Sequence, residues 1–416
     1  MRKERFVIVG AGLAGGTAAM TLRQEGFEGE VALIGAEVHP PYSRPPLSKE
    51  YLRGEAPFQD QLVNPVESYA SNSIDVELGT RVLRIDAGEK VVELAGGRRL
   101  AYDRLLVTTG GRNRRPPIPG IELSGVLQLR TVEESDRIRA AAAVGGRGVV
   151  VGMGFIGSEV TASLRGLGAE VTTIEGHRTP LARVLGEEVG QVLAEVHREH
   201  GVRLLLEDSV AAFEGAGRLE RIHTGSGSVI EADFAVLGVG IAPDIELLET
   251  AGAAVDNGVL VDELCRTSLP GVYAAGDIAN HLHPVFGRLR VEHWNNASNQ
   301  GRAAALSMMG RGTAYDYVHS FWSDQYDQKV EYVGFARAWD RLVFRGSPES
   351  RRFLAFYLQD GVLQAAFGLN RGGDPEDPDQ NGELNTCVPL IRHRAPVDAS
   401  LLTDEGQDLS SAVAGA

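Results

Sequence analysis

The feature that most constrains this chain is a glycine pattern it carries twice, Gly10-x-Gly12-x-x-Gly15 and Gly152-x-Gly154-x-x-Gly157. Each copy follows a short apolar run, residues 6–9 and 149–151, and opens into a stretch of small residues with helical composition. A second apolar run then ends near an acid, Glu37 after the first copy and Glu175 after the second. The first glycine of such a pattern makes the tight turn out of a strand. The second lets backbone approach a pyrophosphate, and the third lets the helix pack close. The phosphates then rest on the positive N-terminal end of the helix. The acids stand 22 residues after Gly15 and 18 after Gly157, where a carboxylate accepts hydrogen bonds from an adenosine ribose and repels a 2′-phosphate. One copy is a weak signal. Two copies, with first glycines 142 residues apart, predict two dinucleotides bound at once, a flavin held by the first and a nicotinamide cofactor visiting the second. Glu175 favours NADH over NADPH, whereas Arg178 offers a guanidinium to a 2′-phosphate and weakens that preference.

At 416 residues the chain exceeds one comfortable core, and length alone suggests roughly two to three domains. The net charge of −15 argues against nucleic acid as a partner, and an acidic protein partner would need a local basic patch. No apolar run approaches the roughly 18 residues that span a bilayer, and no signal-peptide core follows the basic start. A cytoplasmic protein without a membrane partner is expected. Cys265 and Cys387 are isolated, with no pairing that suggests redox chemistry or a metal, and read as buried small apolar residues.

Along the chain, residues 39–49 are Pro-dense (His39-Pro-Pro-Tyr-Ser-Arg-Pro-Pro-Leu-Ser-Lys49), which pins an extended, rigid path. An isolated lysine is ordinarily solvated charge, but Lys49 follows directly on a nucleotide site and reads as functional. A strand ending in Thr108-Thr-Gly-Gly111 brings a small-residue turn close to a ligand. The Pro/Gly-rich residues 112–120 then read as a crossover into the second nucleotide-binding domain, with surface arginines. Residues 232–244 match residues 103–111 in pattern, so the second domain repeats the first and is inserted within it. Residues 269–277 return the chain to the first domain: Ala274-Ala-Gly-Asp277 lets backbone reach a ribityl chain, with Asp277 facing its hydroxyls. A helix is expected from 181 to 200 and another from about 295. Beyond Ser320 aromatics concentrate, and alternating stretches at 329–333, 352–358 and 362–369 predict a small antiparallel sheet domain. The acidic run at 372–382 lacks EF-hand spacing and reads as a solvated loop rather than a calcium site. His177, His197 and His200 have no ligand-like grouping, so no metal is expected, and residues after about Asp404 are expected to fray.

The paired glycine motifs, Pro40-Pro-Tyr-x-Arg-Pro-Pro-Leu-Ser-Lys49, Ala274-Ala-Gly-Asp277 and Phe321-Trp-Ser-Asp-Gln-Tyr-Asp327 together resemble the FAD-dependent ferredoxin reductases, relatives of rubredoxin reductase, putidaredoxin reductase and apoptosis-inducing factor. The resemblance covers nearly the whole chain. It implies an α/β fold with two Rossmann-like nucleotide-binding domains arranged as in glutathione reductase. The FAD domain would comprise 1–112 and 245–320, the NADH domain 113–244, and a C-terminal α+β domain 321–416. It places Gly10, Gly12, Leu13, Ala14, Gly15, Glu37, Arg44, Pro45, Lys49, Val82, Thr109, Gly110, Arg130, Gly276, Asp277, Glu292, His293, Trp294 and Trp322 against FAD. Gly152, Gly154, Phe155, Ile156, Gly157, Glu159, Glu175 and Gly240 would form the seat of NADH. Lys49 and Glu159 would act as an ion pair near the flavin N5. Many relatives carry an acid directly after the glycine that ends the second strand; here that residue is Ala36, which leaves the ribose contact to Glu37.

The activity so implied is hydride transfer from NADH to FAD, followed by single-electron transfer to a [2Fe–2S] ferredoxin feeding a monooxygenase or ring-hydroxylating dioxygenase. Glu159 would orient the carboxamide rather than act as an acid or base. A disulfide reductase needs paired cysteines where this chain has Tyr42-Ser43, and a peroxidase needs one. The alternatives are a rubredoxin reductase and a flavoprotein with a signalling role, as a monomer or homodimer. Arg311, Arg337, Arg341, Arg345, Arg351 and Arg352 supply either a basic docking face or a solvated sheet face.

Overall fold

The computed structural model describes residues 3–373 and 382–412, so the acidic stretch 374–381 lies outside the described residues. The chain divides into two compact units. The first comprises Met1–Ser43, Phe58–Arg112 and Ile241–Tyr317; the second comprises Arg44–Pro57, Asn113–Gly240 and Val318–Ala416.

In the first unit a five-stranded parallel sheet runs in the order Val272–Ala274, Arg104–Val107, Arg5–Val9, Glu30–Ile34, Ile74–Glu77. Its inner strands read as nearly continuous apolar runs because both faces are covered. Val7, Val9, Ile34, Leu105 and Val107 face one core, and Phe6, Ile8, Val31, Leu33 and Leu106 face the other. The Leu13–Gln24 helix packs closely on the Trp294–Met308 helix, where a Cβ at Gly301 would come 2.4 Å from the carbonyl oxygen of Ala14. The chain reverses direction across the sheet beside Arg5–Val9, which opens a crevice at the strand ends where ligands of such folds bind.

The second unit repeats this arrangement with strands in the order Arg203–Leu206, Glu170–Glu175, Arg147–Val151, Phe234–Leu237, Val126–Gln128, all parallel. The same unit holds an antiparallel sheet in the order Ser320–Gln325, Gln328–Gly334, Val362–Leu369, Arg352–Gln359, Arg341–Ser347. Leu185, Val189 and Leu193 of the Ala182–Glu199 helix share a core with Phe353, Tyr357 and Phe367 of that sheet, and the Tyr357 hydroxyl donates to the Leu185 carbonyl at 2.8 Å.

Three differences from expectation have physical reasons. The outer strands Ser320–Gln325 and Arg341–Ser347 join the three stretches that alternation marks; both are interrupted by polar or charged residues that mask the period. The Glu383–His393 helix contains Pro389 and carries no strong sequence signal. Residues 404–412 do not fray: Leu409 and Ala412 are 3% and 0% exposed, and Arg345 donates to the carbonyls of Asp404 and Gln407, at 2.8 Å for Gln407. Arg345 is thus no docking residue, being 5% exposed and paired with Glu383 at 2.6 Å, and Arg351 is paired with Glu199. Arg337, Arg341 and Arg352 are exposed in the second unit, and Arg311 in the first.

Candidate functional site

The two glycine loops are built alike. Gly10 has φ +111° and Gly152 φ +91°, and a Cβ at either would come 2.3 or 2.6 Å from the carbonyl oxygen of Thr108 or Gly238. A Cβ on Gly15 would lie 2.0 Å from the Gly10 carbonyl oxygen, and one on Gly157 1.9 Å from that of Gly152. The third glycine therefore closes the loop on the first, a tighter constraint than helix–sheet packing. At Gly12 and Gly154 a Cβ would meet nothing within 4 Å. Both residues begin their helices with extended backbone, no side-chain cap and no acid in the first turn. Orphan helix N–H groups behind an open cradle suit a pyrophosphate. Leu13, Ala14, Phe155 and Ile156 occupy these first turns, and the Ile156 side chain is 43% exposed.

In the first unit, Glu37 accepts from the Tyr42 hydroxyl at 2.6 Å. Thr109 Oγ1 donates to the Asp244 carbonyl at 2.7 Å, and the Asp244 N–H to the Gly110 carbonyl at 2.9 Å, which fastens the outgoing and returning segments together. Gly276, at φ +78°, donates its N–H to Gln300 at 2.8 Å, and a Cβ there would press on Ala14 at 3.2 Å. The Ala274-Ala-Gly-Asp277 motif is thereby set beside the first nucleotide helix. Arg290 donates to the Asp277 carbonyl at 2.9 Å and pairs with Glu292 at 2.7 Å. Trp294 Nε1 donates to Ser43 Oγ at 2.9 Å, and burial pushes the His293 imidazole down to about 4. Val82 is buried in an antiparallel meander opposite Leu94.

The second unit gathers Arg44, Pro45, Lys49, Arg130, Gly152, Gly154, Phe155, Ile156, Gly157, Glu159, Glu175, Gly240 and Trp322. Glu175 is 8% exposed; Oε2 accepts from the Met153 N–H at 2.6 Å and Oε1 from that of His177 at 2.8 Å. The acid thus props the glycine loop. Arg178 is turned to Glu207 at 3.2 Å and Glu187 at 3.8 Å, so its charge is already compensated. Lys49 Nζ stands 3.0 Å from Glu159 Oε2, the two side chains being 6% and 3% exposed. Taking two charges out of water is costly unless the remaining lone pairs are satisfied. Here Ser48 Oγ also donates to Oε2, Ser323 Oγ donates to Oε1 at 2.7 Å, and Lys49 donates to the Pro45 carbonyl at 3.1 Å. Arg44 donates to the Arg130 carbonyl, Gly240 accepts from the Arg114 N–H at 3.0 Å, and Phe155 meets Phe321 edge to face at 4.5 Å. Trp322 is half-buried opposite Glu331.

Sequence reasoning missed Ser48 and Ser323. Both sit inside motifs it quotes, one residue from Lys49 and one from Trp322, yet nothing in the spacing says which hydroxyl meets which acid. Cys265 and Cys387 are buried; loss of solvent, with Asp262 nearby, pushes the Cys265 thiol up to about 12, and burial raises Cys387 further. Neither is fit to form a thiolate for disulfide exchange. Among the described residues no group of acids, histidines and cysteines is placed to hold a metal.

Comparison with known proteins gives two family matches, "Pyridine nucleotide-disulphide oxidoreductase" over residues 4–301 and "Reductase C-terminal" over residues 320–413. Rhodocoxin reductase of Rhodococcus erythropolis is 40% identical over 89% of this chain and 87% of its own length. The biphenyl dioxygenase system ferredoxin–NAD(+) reductase component of Paraburkholderia xenovorans is 35% identical over 98% of this chain and 97% of its own length. The solved covalent putidaredoxin reductase–putidaredoxin complex matches with a TM-score of 0.92 at 34% identity, covering 98% of this chain and 97% of that chain. The ferredoxin reductase for the CYP199A2 system from Rhodopseudomonas palustris also gives 0.92, at 33% identity, covering 99% and 100%. Two nucleotide loops, a reductase C-terminal sheet and no reactive thiol agree with these likenesses: the chain belongs to the pyridine nucleotide-disulphide oxidoreductases, and within them to the FAD-dependent ferredoxin reductases.

Proposed function

We infer that the protein is an NADH-dependent ferredoxin reductase, taking hydride from NADH onto FAD and passing electrons singly to a [2Fe–2S] ferredoxin that feeds a monooxygenase or ring-hydroxylating dioxygenase. The observation that carries this reading is the pair of open, uncapped glycine loops in a chain whose only two thiols are buried. FAD supplies the exchange between two-electron and one-electron chemistry. The chain supplies grip and alignment. Gly10, Gly12, Leu13, Ala14, Gly15, Glu37, Thr109, Gly110, Gly276 and Asp277 would hold FAD, and the 152–157 loop with Glu175 would seat the adenosine half of NADH. Lys49 and Glu159 form a buried pair of fixed geometry, suited to orienting the nicotinamide carboxamide without moving a proton. The anchored Glu175 and compensated Arg178 favour NADH over NADPH.

We further propose three domains, 1–112 with 245–320, 113–244 and 321–416, in a cytoplasmic protein; no helix among the described residues is long and apolar enough to cross a membrane. A stopped-flow titration with NADH and NADPH, followed by a panel of [2Fe–2S] proteins and rubredoxin, tests the reading. Rapid flavin bleaching by NADH and reoxidation by a [2Fe–2S] protein are expected. Preferential reoxidation by rubredoxin would replace the acceptor, and a chain that cannot be loaded with flavin would end the proposal.

A further inference from the structure

Glu159 is gripped unevenly. Two donors, Lys49 Nζ and Ser48 Oγ, share Oε2, whereas Oε1 has Ser323 Oγ, 2.7 Å away on the Ser320–Gln325 strand. The terminal torsion of a glutamate is broad. Donors on one oxygen leave the carboxylate plane free to pivot about it, and the Ser323 hydroxyl on the other oxygen opposes that pivot.

Ser323 is itself backed by a buried polar chain. Gln325 Nε2 lies 3.4 Å from Ser323 Oγ. The Gln325 amide oxygen and the His197 Nε2 are both buried and without a partner within hydrogen-bond geometry, and they are complementary, one an acceptor and the other able to carry a proton. Tyr326, at a left-handed turn residue with φ +59°, sets its hydroxyl 2.9 Å from His197 Nδ1. A neutral imidazole that accepts at Nδ1 holds its proton at Nε2. Burial, then the neighbouring His200, holds His197 down at about 4, while Gln325 acts in the opposite sense as acceptor. The Gln325 amide thus stands behind the Ser323 hydroxyl, which donates to Glu159. Glu159, Ser323, Gln325 and His197 are at most 3% exposed. Side-chain networks of this kind polarise along their length.

We propose that Ser323 is a positioning residue for the reaction inferred above: its hydroxyl, backed by the Gln325 amide, locks the Glu159 carboxylate in the orientation that grips the nicotinamide carboxamide. The proposal rests on the reading of Glu159 given above. It makes the reductase C-terminal sheet part of the nicotinamide site rather than only a surface for a protein partner.

The test is calorimetric, on the FAD-loaded protein, with two ligands: 1,4,5,6-tetrahydro-NAD, an unreactive mimic of the reduced cofactor, and ADP-ribose, which lacks the nicotinamide. In S323A the tetrahydro-NAD advantage over ADP-ribose should fall about tenfold, the effect of deleting one hydrogen bond to a charged group. ADP-ribose affinity should stay unchanged and S323T should restore the advantage. An S323A protein that keeps the wild-type advantage overturns the proposal. So does one that loses both ligands equally, which is a structural defect, or a wild type that shows no advantage at all. Failure of the wild type to bind ADP-ribose would instead remove the nucleotide reading on which the proposal stands.

Discussion

At the scale of single residues, the glycine loops separate two kinds of constraint that one sequence pattern merges. Gly15 has no room for a methyl group, because its Cβ would stand 2.0 Å from a backbone oxygen that cannot retreat. Gly12 has room in the protein and is crowded only by what the loop holds. Gly15→Ala should therefore cost at least about 3 kcal/mol of stability and be read as a lowered denaturant midpoint. Gly12→Ala should leave the apoprotein midpoint unchanged while the flavin content of the purified protein falls; equal stability losses in the two variants would contradict the assignment. Glu175 has a comparable double duty. Its carboxylate holds the Met153 N–H and, on the function proposed above, meets the ribose as well, so Glu175→Ala with Gly176→Arg should shift preference toward NADPH and also weaken binding of both cofactors. Ratios of kcat/KM for NADH and NADPH, measured beside ADP-ribose affinity, separate the two effects.

Among elements, the C-terminal tail illustrates how one buried charge organises a segment that composition marks as loose. Arg345 links the Arg341–Ser347 strand to Glu383 and to carbonyls of the tail. Removing it leaves Glu383 with Arg371 alone and strips donors from those carbonyls. Breaking one side of a buried pair typically costs about 3–5 kcal/mol, and Arg345→Ala should approach the lower figure because Glu383 keeps its second partner at 2.5 Å. Limited proteolysis should then cut within residues 402–412 at protease levels that spare the parent. The Ala182–Glu199 helix is tied to the aromatic sheet by apolar packing instead, so Leu193→Ala should cost about 2–5 kcal/mol, read as a lower unfolding midpoint without tail cleavage.

For the molecule as a whole, histidines buried in the neutral form contribute to the loss of stability in acid. Burial, with His200 nearby for His197 and His283 nearby for His281, lowers them from 6.5 to about 4 and about 3. Below pH 6.5 the unfolded chain binds protons that the folded chain refuses, so stability is fully present above that pH and is lost as pH falls toward 4. Each histidine contributes a slope of about 1.4 kcal/mol per pH unit in that window. Guanidinium melts at pH 7, 6 and 5 should show the decline, and His197→Asn should flatten the slope by about one proton's worth. An unchanged slope in that variant would mean that His197 titrates normally.

The pair of nucleotide folds was legible in sequence because its determinants are local. The turn, the close approach and the acid all fall within about 25 residues, and the central strand of each parallel sheet announces itself as an apolar run. The alternating stretches of the C-terminal sheet were legible for the same reason, while its two outer strands were not, since Trp322, Asp324 and the arginines of 341–345 break the period. What surrounds Glu159 lies beyond such reach. Ser48 and Ser323 stand 111 and 164 residues from it, and a serine has no preference of its own for one distant carboxylate over another. By itself the sequence determined what each loop can cradle. Only the packing of the tertiary structure decided which hydroxyls a buried, desolvated carboxylate would meet, because burial is what makes those few hydrogen bonds obligatory.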